Sequence, residues 1–368
     1  MIDVAVVGLG FGSAFAPIYQ AHPDVGRVAL VDNNPDRLNE VADTLSVADR
    51  FDSLESVLAT DQWDAVHLLT PVPLHCEQVV MILESGRDCA CAVPMATSLE
   101  DLDRIIEAAE RTGQRYMMME TALYSREFFL ARRLLSAGAF GRLSYFRGEH
   151  LQNLDGFPPY WLGYPPMHYL THVLSPALAL AGARAESVCC LGSSRLAPDR
   201  VGVGGPGFGT EAALFRLKPA DPDVDPELVA NITMSFFQLG RSYLEGFSVY
   251  GDSGALEWPQ LEGGPMRQFQ MPPWDGGPRG RSVTDRDVFP PSAPELLPEE
   301  LRPFADGGHG GSHPHLVHEF VSSLVEDRPA RVDPRVAATL TAPGIGAHAS
   351  ALRGGAEVAV PDYGVTAR

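Results

Sequence analysis

The sequence lacks the long apolar runs and the surplus of basic residues that several protein classes require. No stretch approaches the roughly 20 apolar residues of a membrane-spanning helix. Asp and Glu outnumber Lys and Arg by 47 to 28, which gives a formal net charge of −19. Nucleic-acid binding draws its affinity from neutralised phosphates, so this charge argues against such a partner. We therefore expect neither a membrane nor a nucleic acid among its partners.

Cysteine is scarce, and its spacing fits neither a disulfide framework nor a zinc site. The five cysteines are an odd number without a paired C-x-x-C motif. They fall in apolar, strand-like runs, so we expect buried thiols in a reducing compartment. The opening residues Met1-Ile2-Asp3 carry no basic region ahead of an apolar core, unlike a secretory signal. Together these features predict a cytoplasmic protein.

The order of the apolar runs predicts two domains in this chain of 368 residues. Residues 1–122 alternate strand-like and helical segments, the pattern of a parallel sheet with helices on both faces. Residues 123–368 contain consecutive strand-like runs, the pattern of an antiparallel sheet, and a C-terminal helix that could pack back on the first domain. The predicted fold class is an α/β Rossmann domain followed by an α+β domain. Residues 259–308, rich in Pro, Gly and charge, are expected to form a long surface loop or extension.

A glycine-rich turn near the N-terminus predicts a dinucleotide site. The apolar run Ile2 to Val7 ends in Gly8-Leu9-Gly10-Phe11-Gly12-Ser13. The first glycine permits a tight turn, the second lets the backbone approach a pyrophosphate, and the helix amides that follow point at that anion. Ser13 occupies the third glycine position and is small enough for close helix–strand packing. The alternative is a tight turn that binds no ligand.

The acid that ends the second strand bears on the choice between NAD and NADP. Asp32 is placed to accept hydrogen bonds from an adenosine ribose, and Asn33 follows it. A 2′-phosphate beside this carboxylate would be repelled by about 4 kcal/mol per pair of unit charges ~4 Å apart. Arg37 is the nearest arginine, and none directly adjoins the acid in the sequence. We therefore predict NAD.

Five motifs together resemble the Gfo/Idh/MocA family of NAD(P)-dependent sugar and cyclitol oxidoreductases. They are the glycine turn with Asp32, Thr70-Pro71-Val72-Pro73-Leu74-His75, Val93-Pro94, Tyr250-Gly251-Asp252-Ser253-Gly254 and Gly310-Gly311-Ser312-His313-Pro314. The resemblance implies an open sheet in the second domain, whose outer face often makes a dimer. It also implies a nicotinamide site between the two domains. We accordingly expect a homodimer or homotetramer and a sugar, cyclitol or glycoside as substrate.

The sequence departs from that family at two motifs. Many members carry Glu-Lys-Pro, with a lysine that assists proton transfer, where this chain has Ala92-Val93-Pro94. A second motif, usually Asp-x-Gly-x-His, here lies in the segment His168-Tyr169-Leu170-Thr171-His172. The combination resembles a subgroup that includes NAD-dependent α-N-acetylgalactosaminidases. Those enzymes cleave glycosides through transient oxidation, elimination, water addition and re-reduction.

The predicted catalytic residues are His172, Tyr169 and His168. Oxidation of a carbinol requires a base, and the ordinary histidine pKa of ~6.5 suits that role. Tyr169 lies three residues before His172 and is expected to share its helix face, as an orienting group or proton relay. The spacing of His168 and His172 also suits a metal, with Glu149 and His150 as further ligands. Since no HExxH pattern accompanies them, and the family reaction uses no metal, we predict none.

Other candidates follow strand ends, where open α/β sheets bind their ligands. The predicted cofactor-binding residues are Gly8, Gly10, Phe11, Gly12, Ser13, Asp32, Asn33, Thr70, Pro71, His75, Val93, Pro94 and Glu120. The predicted substrate residues are Tyr124, Glu149, Asn153, Asp155, Tyr160 and Trp161. A histidine cluster (His309, His313, His315 and His318) is interpreted either as a solvated turn or as a rim of the substrate site.

Three functions remain open at this point. The first is an NAD-dependent oxidoreductase that acts on a secondary hydroxyl or ketone. The second is a glycosidase or lyase that keeps its NAD and shows no net redox change; the missing lysine favours it. The third is a non-catalytic NAD sensor or partner protein, against which the intact His172 motif argues.

Overall fold

The computed structural model describes residues 1–202, 207–221, 227–261, 263–274, 276 and 280–367. The chain divides into two compact units. The first contains Met1–Arg126 and Ser292–Ala338, and the second contains Glu127–Pro291 and Thr339–Arg368. The boundary predicted between residues 122 and 123 therefore differs from this division, because residues 292–338 cluster with the first unit.

A parallel sheet forms the centre of the first unit. Its strands are β1 (Ile2–Val7), β2 (Val25–Val31), β3 (Arg50–Phe51), β4 (Ala65–Leu68), β5 (Asp88–Cys91) and β6 (Tyr116–Met118), in the order β3-β2-β1-β4-β5-β6. All neighbouring strands are parallel. Val4, Ala5 and Val6 are fully buried, as expected for a sheet covered on both faces. The predicted Rossmann-type α/β fold is confirmed.

Helices connect the strands of this sheet, and the second unit also contains helices. They are α1 (Leu9–Gly12), α2 (Ala16–Ala21), α3 (Pro35–Leu45), α4 (Leu54–Leu58), α5 (His75–Glu84), α6 (Leu99–Thr112), α7 (Arg126–Ser136), α8 (Thr171–Ala181), α9 (Gly308–Val325) and α10 (Pro334–Leu352). Local signals begin them: the Asn34 side chain accepts from the amides of Asp36 and Arg37, and Ser98 accepts from that of Asp101. No helix in the described ranges has both the length and the apolar character needed to cross a bilayer.

Contacts distant in sequence bring residues 292–338 into the first unit. The amide of Met118, at the edge of the parallel sheet, donates to the carbonyl of Val332 at 3.0 Å. In α9, the imidazole of His313 stacks on Phe15 with ring centroids 4.2 Å apart. The segment thereby covers both the last strand and the helices next to the glycine turn.

The second unit contains a large, mostly antiparallel sheet, also as predicted. Its strands are β7 (Leu143–Leu151), β8 (Ala183–Arg195), β9 (Phe208–Pro219), β10 (Val229–Ser235), β11 (Leu244–Gly251), β12 (Gly254–Glu257), β13 (Met266–Gln270), β14 (Thr284–Val288) and β15 (Val358–Ala359). Their order is β14-β13-β12-β11-β7-β10-β9-β8-β15, with β7 and β10 parallel. Helix α8 packs so closely that a Cβ on Gly148 would lie 2.5 Å from the Val173 carbonyl oxygen.

Two sequence-based expectations are wrong in this unit and the segment that follows it. Residues 259–308 were expected to form a long surface loop or extension, but they contain regular structure: β13, β14 and two 3₁₀ helices, Pro294–Leu296 and Glu299–Phe304. Most residues of the two strands are polar, and Arg267 pairs with Asp285 and Asp287. The strands therefore lack the regular apolar alternation that would have signalled them. Cys189 is exposed rather than buried.

A buried carboxylate holds the segment that leads into α8. Glu211 is fully buried. Its Oε2 accepts from the Met167 amide at 2.9 Å, and its Oε1 accepts from Nδ1 of His348 at 2.7 Å. Met167 lies in a 3₁₀ helix, Pro166–Tyr169, that precedes α8. This carboxylate therefore ties β9, the 3₁₀ helix and α10 together.

Removal of the imidazole partner should destabilise the second unit. In His348→Ala, Glu211 would stay buried with one donor fewer, and we expect the free energy of unfolding to fall by about 2–4 kcal/mol. The matched control is Lys218→Ala, which breaks an exposed pair with Glu186 at 3.7 Å and should change it by less than about 1 kcal/mol. Urea denaturation measures both, and equal effects would contradict the role of Glu211.

Candidate functional site

The carboxyl ends of the parallel strands form one edge of the first unit. Gly8, Asp32, Val93 and Glu120 come after β1, β2, β5 and β6, and Thr70 follows β4. Strands β1 and β4 are neighbours at the point where the chain reverses its direction across the sheet. Open α/β sheets bind ligands in the crevice at such a position.

The glycine turn has the geometry that a dinucleotide requires. Gly8 adopts φ 92°, and a Cβ on it would lie 2.6 Å from the Leu69 carbonyl oxygen. A Cβ on Gly12 would lie 2.9 Å from Cγ1 of Val6, so this glycine allows the close helix–strand packing. Gly10 is exposed and has open space around its Cβ position except for Arg37 at 3.8 Å. Ser13 ends α1. These features fit an approaching pyrophosphate.

Asp32 is fixed at the end of β2 by two backbone amides. Its Oδ2 accepts from Leu9 and its Oδ1 from Asn34, both at 2.8 Å. The guanidinium of Arg37 lies 3.4 Å from Oδ2, although no arginine adjoins this acid in the sequence. The first turn of α3 brings it there, because the Asn34 cap turns the helix back over β2. Asn33 is exposed next to the carboxylate.

His75 joins two loops instead of facing the crevice. The ring is fully buried. Its Nδ1 lies 2.8 Å from the Pro94 carbonyl oxygen and its Nε2 3.0 Å from that of Thr70. Burial lowers the pKa of His75, so a neutral ring donates to one carbonyl at a time. The predicted cofactor role of His75 is thus corrected to support of the loops that carry Thr70, Pro71 and Val93-Pro94.

Glu120 and Tyr124 follow the last strand of this sheet. Glu120 is fully buried, and its Oε1 accepts from the Ala122 amide at 3.0 Å. That bond caps the 3₁₀ helix Thr121–Leu123, after which Tyr124 is also buried. Val93, by contrast, is a buried apolar side chain that directly precedes Pro94. It can neither titrate nor donate a hydrogen bond.

In the second unit, His172 lies in a cluster of aromatic and histidine rings. It is 5% exposed in the first turn of α8. The ring of Tyr169 meets it edge-on at 5.2 Å, and that of His150 lies 6.2 Å away. Tyr169 also packs against Trp161 at 5.4 Å. The expected pairing of Tyr169 with His172 is present, at a junction between the 3₁₀ helix and α8.

His168 lies apart from this cluster, so its predicted catalytic role is corrected. Its ring packs edge-on against His348 at 5.1 Å and against Tyr164 at 6.1 Å. Desolvation, together with the neighbouring His348, lowers the pKa of His168 to about 3. It belongs to a 3₁₀ helix and not to α8, so the assumed α-helical spacing to His172 does not apply. Among the described residues, no group of three or more His, Cys, Asp or Glu could hold a metal.

In strand β7, it is His150 and not the predicted substrate residue Glu149 that lies near His172. His150 is buried and packs against Phe236 and Tyr243 with ring centroids 5.2 and 5.6 Å apart. Successive residues of a strand face opposite sides, so Glu149 lies on the opposite face of the sheet. The predicted substrate role of Glu149 does not fit this placement. Strand alternation in the sequence was the signal that could have identified His150.

The remaining predicted substrate residues divide into an aromatic pair and a polar turn. Tyr160 and Trp161 pack together at 5.4 Å, and Trp161 extends to the His172 cluster. Asp155 instead forms two hydrogen bonds of 2.9 Å with Arg200, which lower the pKa of its carboxyl group. The Asn153 side chain accepts from the Asp155 amide at 3.0 Å. These two polar residues therefore stabilise their own loop.

Comparisons with known proteins agree with this fold and turn. Residues 2–120 match the Gfo/Idh/MocA family model, described as an oxidoreductase family with an NAD-binding Rossmann fold. A glycosyl hydrolase family 109 protein of Porphyromonas gingivalis is 26% identical over 230 residues, covering 56% of this chain and 48% of the relative. A family 109 protein of Bacteroides fragilis is 26% identical over 199 residues, covering 49% and 43%. The chain spans about half the length of these curated relatives.

Two solved structures share the whole fold at lower sequence identity. Levoglucosan dehydrogenase, in complex with NADH and L-sorbose, aligns with a TM-score of 0.78 at 19% identity, over 98% of this chain and 99% of the other. An oxidoreductase from Agrobacterium radiobacter, in complex with NAD⁺, L-tartaric acid and magnesium, aligns with a TM-score of 0.73 at 19% identity, over 99% and 98%. These similarities establish the fold. The match to the Gfo/Idh/MocA family model, described as an oxidoreductase family with an NAD-binding Rossmann fold, covers residues 2–120 of the 368.

Proposed function

We propose that the protein is an NAD-dependent oxidoreductase for a secondary hydroxyl or ketone of a sugar, cyclitol or glycoside. When bound, NAD supplies the hydride acceptor at its nicotinamide ring. The glycine turn with Gly8 at φ 92° and the fixed carboxylate of Asp32 are the observation that carries the cofactor assignment. The aromatic rings around His172 support a carbohydrate-type substrate, since aromatic faces pack against the apolar C–H faces of sugars.

His172 is the proton acceptor in this proposal. Its ring lies beside Tyr169 at 5.2 Å, so the tyrosine can orient the imidazole or the substrate hydroxyl. The lysine that assists proton transfer in many family members has no substitute elsewhere, because the sequence contains a single lysine, Lys218. Lys218 lies in β9 and pairs with Glu186. We therefore assign the proton transfer to His172.

Replacement of His172 should separate chemistry from cofactor binding. We expect His172→Asn to lower kcat at least about 100-fold, the low end of general-base contributions, while the Kd for NAD changes by less than about threefold. His168→Asn is the matched control, since its ring packs on His348; it should retain kcat in the folded fraction. Steady-state kinetics and calorimetric titration with NAD measure these effects. Unchanged turnover in His172→Asn would remove it from the mechanism.

A second candidate is a redox-neutral glycosidase or lyase that uses NAD transiently. Two observations favour it: Val93 replaces the lysine, and the curated relatives reported above are glycosyl hydrolase family 109 proteins. In this scheme His172 takes the hydroxyl proton during oxidation and returns it during re-reduction. Between these steps a base removes the proton from the carbon next to the ketone as the glycosidic oxygen leaves, and water then adds to the double bond. The oxidation of the hydroxyl is common to both candidates, the elimination belongs to the second alone, and net NADH formation distinguishes the two.

One assay tests both candidates. The protein is incubated with NAD and a panel of sugars, cyclitols and glycosides in D₂O, while absorbance at the NADH band and product release are followed. Steady NADH formation supports the oxidoreductase. Glycoside cleavage without NADH, with deuterium incorporated next to the transiently oxidised carbon, supports the second candidate. NAD binding with neither signal would overturn both and leave the non-catalytic sensor.

Cofactor preference should depend on Asp32 and Arg37 together. In Asp32→Ala, the repulsion of a 2′-phosphate is lost and the guanidinium, 3.4 Å from Oδ2, becomes available to it. We expect the NAD/NADP ratio of kcat/KM to fall at least about 100-fold, since ~4 kcal/mol of repulsion exceeds two factors of ten. Asp32→Ala/Arg37→Ala should weaken NAD equally but recover little NADP activity. An unaltered ratio in the single variant would overturn the ribose assignment.

We also propose that the protein forms a homodimer or homotetramer through the open face of the nine-stranded sheet. The support is the family resemblance and the exposure of Leu191 and Leu214 at 63% and 56%. These side chains lie on neighbouring strands, β8 and β9. Light scattering coupled to size exclusion tests the proposal, and a monomer at micromolar concentration would contradict it.

A further inference from the structure

The start of α9 contains a run of left-handed backbone with one side chain in it. Gly308, His309, Gly310 and Gly311 have φ values of 34°, 38°, 66° and 81°. A non-glycine residue in this region costs roughly 1–2 kcal/mol, although histidine tolerates it better than most. Two of the glycines are required by contacts: a Cβ on Gly308 would meet His313 Cε1 at 2.2 Å, and one on Gly311 would meet the Ala305 carbonyl oxygen at 2.4 Å.

The imidazole of His309 is held on the glycine turn. Its ring meets Phe11 edge-on at 5.7 Å and His313 at 5.6 Å. His313 in turn contacts Phe11 at 5.4 Å and stacks on Phe15 at 4.2 Å. All these residues belong to the first unit, and Phe11 lies within the turn, between Gly10 and Gly12. The strained segment thus places a side chain beside the turn that the dinucleotide approaches.

The neighbouring histidines serve as packing groups. His313 is 4% exposed, and burial with the adjacent His309 lowers its pKa to about 3. His67 is fully buried, and burial lowers its pKa to about 3 as well. Both rings are therefore neutral near neutral pH, and both pack against Phe15. His309, unlike these two rings, is exposed.

We propose that His309 is a cofactor-binding residue that donates a hydrogen bond to the pyrophosphate of the bound dinucleotide. The inference rests on the NAD binding of the proposed function and adds a contact to it. Backbone strain at a residue that contacts a ligand is a known pattern. Among residues 308–311, only His309 has a side chain, and the strained backbone holds that side chain against Phe11. The glycines on either side permit that conformation and keep the rest of the segment free of side chains.

The test uses three ligands that all contain adenosine. Adenosine lacks the pyrophosphate, ADP-ribose contains it, and NAD adds the nicotinamide. His309→Gly removes the imidazole and suits the positive φ. We expect the Kd of NAD and of ADP-ribose to rise about 10-fold to 100-fold, the loss expected for one charge-assisted hydrogen bond. The Kd of adenosine should change by less than about twofold.

The matched control is Ser46→Gly, another non-glycine residue with positive φ, 55°, at the end of α3. It changes the backbone in the same way and should leave all three Kd values unaltered. If the Kd of adenosine rises as much as the others in His309→Gly, His309 only supports the turn. If the Kd of NAD alone rises, its contact is on the nicotinamide half. Either result overturns the proposal, as would three unchanged Kd values. Failure of the wild-type protein to bind NAD would instead refute the proposed function.

Discussion

The nucleotide end of the first unit depends on the hydrogen bond from the Leu9 amide to the Asp32 carboxylate, 2.8 Å long. It joins the start of α1 to the end of β2, the strand beside β1. The turn is also confined from the other side, because Gly8 lies against the backbone of Leu69. These two restraints fix the position of the turn and of Phe11 within it. The edge-on packing of His313 and His309 against Phe11 follows from that position.

The sequence predicted those parts of the fold that arise from local signals. The glycine turn and the alternation of strands and helices are patterns that a few neighbouring residues determine. The inclusion of residues 292–338 in the first unit could not be predicted in this way. It depends on contacts such as Met118 with Val332, whose partners lie far apart in the chain. The polar pair β13 and β14 was missed because its stabilising ion pairs carry no hydrophobic period.

In the candidate site, the sequence predicted which side chains meet where spacing alone decides it. The prediction failed where the local backbone conformation decides it. His172 and Tyr169 were paired correctly, since three-residue spacing brings side chains together in either helix type. His168 was misplaced because Pro165 and Pro166 begin a 3₁₀ helix there, and four residues across that junction do not share a face. Arg37 was underrated for a related reason. Its distance from Asp32 in sequence concealed that the first helical turn brings it back.

The two candidate functions make opposite demands on cofactor release. A dehydrogenase must exchange its reduced cofactor in every turnover, so slow release limits its rate. A redox-neutral cycle returns the hydride to the same substrate. Release of the reduced cofactor before that step would leave the substrate oxidised. Contacts to the pyrophosphate, such as the one assigned to His309, hold the cofactor without touching the reacting ring. They lower the dissociation rate and leave hydride transfer unaffected. A turn packed with Phe11, His309 and His313 therefore suits retention, and the ratio of cofactor release to turnover becomes the quantity that distinguishes the two chemistries.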